Sequence, residues 1–486
     1  MTDRSLARLD VEGQRRILSG SLGSRALSDI EEGTIIVVPS LSFPVEELRK
    51  IVGIQFYEER MLFMTLILDR PDLDMVYVTS ASIDPVIVDY YLSFLPDPAG
   101  ARKRLHLVSL DDTRPLPLSE KLVERPDKVT EIRTHLDGKN AYALTFNVTE
   151  IEWRLMEALG VVVYGPHPDL AWLGSKSGSR RVAQEAGVAV LPGAEDLRSV
   201  AEVERAVISL ASDSVESAVI KLNNGFSGQG NAIVSLSELR SPLAETETSF
   251  CALEESWPSF ERKIASEGAV VEELLRAPGT VSPSTQLRIA ADGSFEVVST
   301  HDQILGGPDN QVYLGCRFPA QDAYREAIQD AGRRMARVLA EKGVVGSFGI
   351  DFVLVPGTNP KPFVSEINLR MGGTSHPFYV ARFVTRGHYD EATGDLVADG
   401  KPKYYVASDN LKSDSLLGLR PEKVIDALDI RGLAYSESSR TGATLHLLGA
   451  LNEFGKLGCV AIADSREDAE SLYREVARVL GAPGSI

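Results

Sequence analysis

Four short stretches carry side chains whose types and spacing suit chemistry on a phosphate. In residues 218–232 an apolar strand delivers one lysine, Lys221, into a loop that holds Gly225, Ser227, Gly228 and Gly230. Glycines let backbone N–H groups close on an anion, and the lysine adds a point charge. The pattern is not a Walker loop, because no Gly-Lys-Ser/Thr opens a helix. A plain hairpin with a glycine-rich turn fits the same residues. Residues 349–355 and 363–370 are two apolar strands around a Pro/Gly turn at 356–362. Antiparallel pairing about that turn sets Asp351 opposite residues 366–368 and puts Glu366, Asn368 and Arg370 on one face. Two carboxylates and an amide oxygen gathered there suit Mg²⁺, because charges in apolar strands are costly unless paired or metal-bound. The competing reading is a solvated hairpin face.

Two weaker stretches accompany these. Residues 268–275 are a strand ending in Glu272 and Glu273, followed by Leu275; acids solvated at a turn explain it equally well. Residues 174–181 open a short helix with Lys176, Arg180 and Arg181. Basic groups at a helix N-terminus oppose the dipole, which a nearby anion would rationalise.

In this order the pieces resemble the ATP-grasp superfamily over residues 165–380, ending in Glu366-Ile367-Asn368-Leu369-Arg370-Met371-Gly372-Gly373-Thr374. The resemblance implies that Lys176 and Lys221 hold the ATP phosphates and that the loop from Gly225 through Ser227 and Gly228 to Gly230 covers them. It implies an adenine-reading backbone at Glu273 and Leu275 and a ribose contact at Glu272. Asp351, Glu366 and Asn368 become the Mg²⁺ ligands, and Arg370 the cation on the transferred phosphoryl group. A narrower resemblance, to the peptide ligase of pheganomycin biosynthesis and its relatives, rests on residues 39–43, 300–307, 311–319 and 441–448. It implies an ADP-forming ligase that joins a nonstandard amino-acid carboxylate to the amine of an amino acid or peptide. A small-molecule kinase on the same fold, or a nucleotide-binding regulator without turnover, remain alternatives, since fold does not fix function.

Two further residues are candidates for catalysis. Arg288, inside a strand, suits a substrate carboxylate, or else a surface ion pair of little energetic consequence. His301, between a strand and a Gly-rich loop, suits substrate binding or proton transfer from the amine, or else a purely structural place. The remaining histidines show no metal-ligand spacing.

The elements that must position these groups alternate. Strands read at 34–39, 75–79, 105–109, 141–147 and 161–164 are separated by helical patterns at 45–68, 85–95 and 150–159, which predicts parallel pairing through helical crossovers. Residues 31–166 are therefore read as an open α/β domain, preceded by a mobile arm at 1–30. Its first strand is followed by no glycine, so a Rossmann site is not indicated. Residues 167–385 are read as the ATP-grasp domain and 386–404 as an exposed hairpin or linker. The C-terminal α+β domain, 405–486, is expected to pack on the nucleotide core and shape the acceptor side. The fold class is α/β and α+β, multidomain.

Composition bounds the partners. The chain has 486 residues and a formal net charge of -18, which argues against nucleic-acid and anionic-membrane partners. Its three cysteines are far apart and form no CxxC pair, and no apolar run reaches the length of a membrane span. A cytoplasmic protein is expected, with a homodimer left open.

Overall fold

The computed structural model describes residues 9–136, 140–211, 215–225, 230–237, 239–252, 255–306, 312–358 and 360–482. Strands β1 (Glu32–Val38), β2 (Asp72–Thr79), β3 (Leu105–Ser109), β4 (Ala141–Thr145) and β5 (Val162–Val163) form one parallel sheet, in the order β3-β2-β1-β4-β5. The apolar run in β1 has a direct cause. Ile35 and Val37 enter one core while Ile36 and Val38 enter another, so both faces of the strand are covered. The helix Glu150–Leu159 starts on a capping box between Thr149 and Glu152 and stops at Gly160, whose φ is 73°.

Two N-terminal expectations need correcting. The pattern at 45–68 is a single helical turn, Val45–Leu48, then Gly53 at φ 72°, then a 3₁₀ segment, Ile54–Asp69. Residues 61–68 are all buried, so no polar face marks a helical period there. The arm is a docked helix, Val11–Leu22, with Leu18 and Leu22 in the core. Its buried Gln14 donates Nε2 to the carbonyls of Val163 and Gly165, at 3.0 and 2.9 Å. These two bonds from a buried amide nitrogen fix the arm against the end of β5.

Next come β6 (Ala189–Val190), β7 (Gly193–Leu197), β8 (Ser217–Leu222), β9 (Asn231–Ser235), β10 (Thr248–Phe250) and β11 (Ala269–Glu273). All but β6 form a small sheet, β10-β9-β8-β11-β7. An eleven-stranded sheet faces the chemistry. Its central members are β12 (Pro283–Ile289), β13 (Phe295–Gly306), β14 (Val312–Phe318), β15 (Gly346–Val353) and β16 (Phe363–Asn368).

The segment read as a hairpin or linker contains β17 (His388–Asp390) and β18 (Asp395–Ala398) and runs into β19 (Lys401–Lys412). Strand β19 pairs with β14 and with β21 (Lys456–Ala463), which also pairs β20 (Gly442–His446). The C-terminal strands thus extend the sheet that carries the Asp351/Glu366 hairpin. Lys403, expected on an exposed stretch, is buried against Asp464 at 2.5 Å. Among the described residues no helix is long and apolar enough to cross a membrane, and all three cysteines are free.

Candidate functional site

The β15–β16 hairpin has the register expected from its turn: Asp351 faces Glu366 and Gly349 faces Asn368. Asn368 Nδ2 donates to Asp351 Oδ2 at 2.9 Å and to Glu366 Oε1 at 3.2 Å, while its Oδ1 accepts from Arg370 at 2.8 Å. Gln303 Nε2 donates to the other Asp351 oxygen at 2.6 Å. Burial pushes the Asp351 carboxyl up to about 6, against the pull of Lys176 and Arg370. Two carboxylates that converge on one shared partner fit a hard cation, and the Asn368 oxygen, which faces Arg370, would join them on rotation of its amide.

Lys176 opens the helix Lys176–Glu185, whose N-cap is Ser175. Asn223, just past β8, pins this terminus. Its carbonyl accepts from Lys176 N at 3.1 Å, and its Oδ1 accepts from Ser177 N at 3.0 Å. Ser179 Oγ accepts from Ile367 N at 2.8 Å, which ties the helix to β16. Gly178 is required here, because a methyl group would lie 2.0 Å from the Trp172 carbonyl oxygen. So held, the Lys176 ammonium pairs with Glu366. Burial first, and Lys221 next, push its pKa down to about 7.

Lys221 projects from β8 to Glu272 Oε2 at 2.7 Å and donates to Ser365 Oγ at 3.3 Å. Its loop is pinched at the base by two glycines. A methyl on Gly225 would lie 3.1 Å from Gly230 Cα, and one on Gly230 would lie 2.9 Å from Gly225 Cα. Ser227 and Gly228 lie outside the described residues. Lys176, Lys221, Gly225, Glu273, Leu275, Asp351 and Glu366 all line one cleft of about 900 Å³ between the two sheets.

Three expected site residues sit elsewhere. Glu272 is buried beneath the cleft floor, clamped between Lys221 and Arg180, the latter at 2.7 Å. A side chain held by two cations supports Lys221 and does not reach a ribose. His301 is fully buried, packed on Phe318 and Tyr405, with Nε2 2.6 Å from Tyr405 Oη. Burial pushes its pKa down to about 3, so it is a neutral core group. Arg288 bonds Glu296 at 2.9 Å, the Ser24 carbonyl at 3.1 Å and Tyr164 Oη at 3.2 Å. It ties the N-terminal arm to the central sheet and is absent from the cleft lining.

Sequence reading also missed two groups. Phe43 and Phe146, from the first α/β layer, place their rings 5.4 and 5.6 Å from the Arg370 guanidinium. Ser42 and Asn147 lock these two loops together through paired hydrogen bonds of 3.0 Å. The run at 39–43, noted only as a resemblance, was the available signal. The second group brings His376, Asp409 and His446 within 4.8 Å of one another, with Arg60 3.2 Å from Asp409. No local spacing could reveal it.

Comparison with known proteins agrees with this fold. The family described as "IQCH-like, ATP-grasp" matches residues 243–390, and "PGM1 C-terminal domain" matches residues 423–476. The L-propargylglycine–L-glutamate ligase of Streptantibioticus cattleyicolor is 34% identical over 466 residues, covering 93% of this chain and 94% of that protein. Among solved structures, a biotin carboxylase–β,γ-ATP complex from Campylobacter jejuni superposes with TM-score 0.57 at 12% identity, over 92% of this chain and 91% of that one. The ADP complex of an N5-carboxyaminoimidazole ribonucleotide synthetase gives TM-score 0.52 at 12% identity, over 93% and 98%.

Proposed function

The chain belongs to the ATP-grasp family of ligases, and from that premise we propose how its cleft activates an amino-acid carboxylate with ATP and passes the acyl group to an amine. It is an ATP-dependent carboxylate–amine ligase. The observation that carries the site assignment is the meeting of Asp351, Glu366 and Asn368 with Lys176, Lys221 and Arg370 at one end of the cleft.

A carboxylate oxygen of the acid attacks the γ-phosphorus, and the bond to the ADP oxygen breaks. The amine nitrogen then attacks the acyl carbon, phosphate leaves with the C–O bonding pair, and the amine's proton passes to water. Positioning and neutralisation of charge are the protein's main tasks. Lys176 and Lys221 hold the phosphates, and the pinched Gly225–Gly230 loop closes over them. The backbone at Glu273 and Leu275 receives the base. Asp351, Glu366 and Asn368 would hold Mg²⁺, which would supply charge neutralisation on the transferring phosphoryl group. Arg370, steadied between Phe43 and Phe146, faces the transferred group. The relative's printed substrates suggest an amino-acid-like acid and amine for this enzyme too.

A hydroxylamine trap tests this reading. Protein, Mg·ATP, hydroxylamine and a panel of amino acids and amidino derivatives are incubated, and ADP and hydroxamate are read by mass spectrometry. The expected result is hydroxamate with ADP, reduced about a hundredfold or more in Lys221→Ala and Glu366→Ala. ADP with a phosphorylated product and no hydroxamate would sink the ligase reading in favour of a kinase.

A further inference from the structure

Beyond Arg370, outside the nucleotide cleft lining, lies a second cluster of polar side chains. The Phe146 ring is shared by two cations, with Arg370 5.6 Å from its centroid and Arg60 5.8 Å. Arg60 reaches past it to Asp409 Oδ2 at 3.2 Å, and both side chains keep a little exposure, 12% and 13%. Asp409 Oδ1 takes His446 Nε2 at 2.7 Å, and the His376 ring lies 4.1 Å from that of His446. Among the described residues, both ring nitrogens of His376 and Nδ1 of His446 are buried with no hydrogen-bond partner. Such orphan groups are rare and call for a ligand. The fold also makes room for this arrangement: a methyl on Gly458 would lie 2.0 Å from His446 Nε2.

We propose that this cluster, built on Arg60, Asp409 and His446, is the acceptor subsite of the ligase, and that its ligand is a free amino acid. The acceptor's α-carboxylate lies on Arg60, and its amine faces Asp409 and the two imidazoles, turned toward the acyl group at Arg370. The proposal rests on the ligase reading above.

Charge decides the ligand class. Arg60 and Asp409 form a one-to-one pair, which suits a ligand that carries both charges rather than a lone anion or cation. Against the cost of burial, Arg60 and His446 hold Asp409 well below the usual carboxylate range, leaving it an acceptor for N–H groups. Burial keeps His376 neutral, so its free nitrogen can accept as well. A divalent cation on the two histidines and Asp409 would have to bear a guanidinium 3.2 Å from its own carboxylate ligand. An amino acid carries both charges that the cluster can satisfy. A longer peptide would carry its terminal carboxylate away from Arg60.

The test uses the wild-type enzyme with the acid identified by the hydroxylamine trap. Each protein amino acid is compared, as acceptor, with its own carboxamide. The carboxamides should fall by about a hundredfold or more in kcat/KM, because they leave a buried guanidinium without its anion. In Arg60→Gln and Arg60→Lys the acceptor KM should rise at least tenfold, with KM for ATP and acid within twofold. The ratio of amide product to hydroxamate should fall with it. Three results would overturn the subsite: carboxamides as good as the acids, hydroxamate lost in step with amide, or a stoichiometric transition metal that is released by His446→Ala. Absence of hydroxamate from the wild-type protein would instead remove the ligase reading itself.

Discussion

The two ends of this catalytic region are built in opposite ways. At the nucleotide end, the carboxylates proposed to hold the metal come from one hairpin, in which Asp351 faces Glu366 across a short turn. At the proposed acceptor end, Arg60 comes from the 3₁₀ segment of the first layer, His376 from a helix after the hairpin, and Asp409 and His446 from β19 and β20. One end is a local register, and the other is an assembly of distant elements. Chemistry common to a family can be stored in a turn and a strand period. Recognition of a particular acceptor here depends on how the first and last parts of the chain meet.

The sharpest way to break the nucleotide end is Glu272→Ala. Glu272 is the buried counter-charge for Lys221 and Arg180, so its loss leaves Lys221 without its ion-pair partner and Arg180 with Glu195 alone. Removing one partner of a buried ion pair costs about 3–5 kcal/mol. A fall in unfolding free energy of that size, read from denaturant titration, with loss of nucleotide binding, is expected. An unaltered midpoint would mean that Glu272 is not the support of Lys221.

A smaller effect is expected at the other end. Gly458→Ala forces a methyl into the His446 ring. Overpacking of this kind costs about 1–3 kcal/mol. The unfolding free energy should fall by that amount, and the amide-to-hydroxamate ratio should fall with it. A stability loss without any change in that ratio would separate His446 from the acceptor.

What the sequence could show follows the same division. Strand β1, the helix Glu150–Leu159 and the Asp351/Glu366 register were legible, because each rests on a period, a cap or a turn within a few residues. The roles expected of Arg288 and the N-terminal arm failed together and for one reason. The arm was read as mobile, yet it docks beside β5, and Arg288 bonds its Ser24 carbonyl. The ion-pair alternative for this strand arginine holds, with Glu296 opposite it in the hairpin, and a further partner, Ser24, lies 264 residues away. His301 keeps the structural place given as its alternative, since Tyr405 bonds its Nε2 from β19, in the segment read as a separate domain. The Arg60 cluster left no local trace, because its members meet only through the eleven-stranded sheet.

The smallest effect concerns the segment that carries Arg60. Its two preceding residues, Glu58 and Glu59, are buried. Burial raises their carboxyls from 4.5 to about 7 and about 8, despite hydrogen bonds from Ser80 and from Gly449 N. The folded state therefore binds more protons than the unfolded chain between about pH 4.5 and pH 8. These groups stabilise fully below the unfolded value, and the contribution is lost as pH rises through the folded values. The slope is on the order of 1 kcal/mol per pH unit for each group. The thermal midpoint should thus fall as pH is raised from 5 to about 8. Glu59→Gln, which keeps a carbonyl oxygen for Gly449 N, should flatten part of that slope and gain most at the alkaline end. Identical slopes in the two proteins would show that Glu59 is not protonated in the fold, and that the Arg60 segment carries a buried charge of its own.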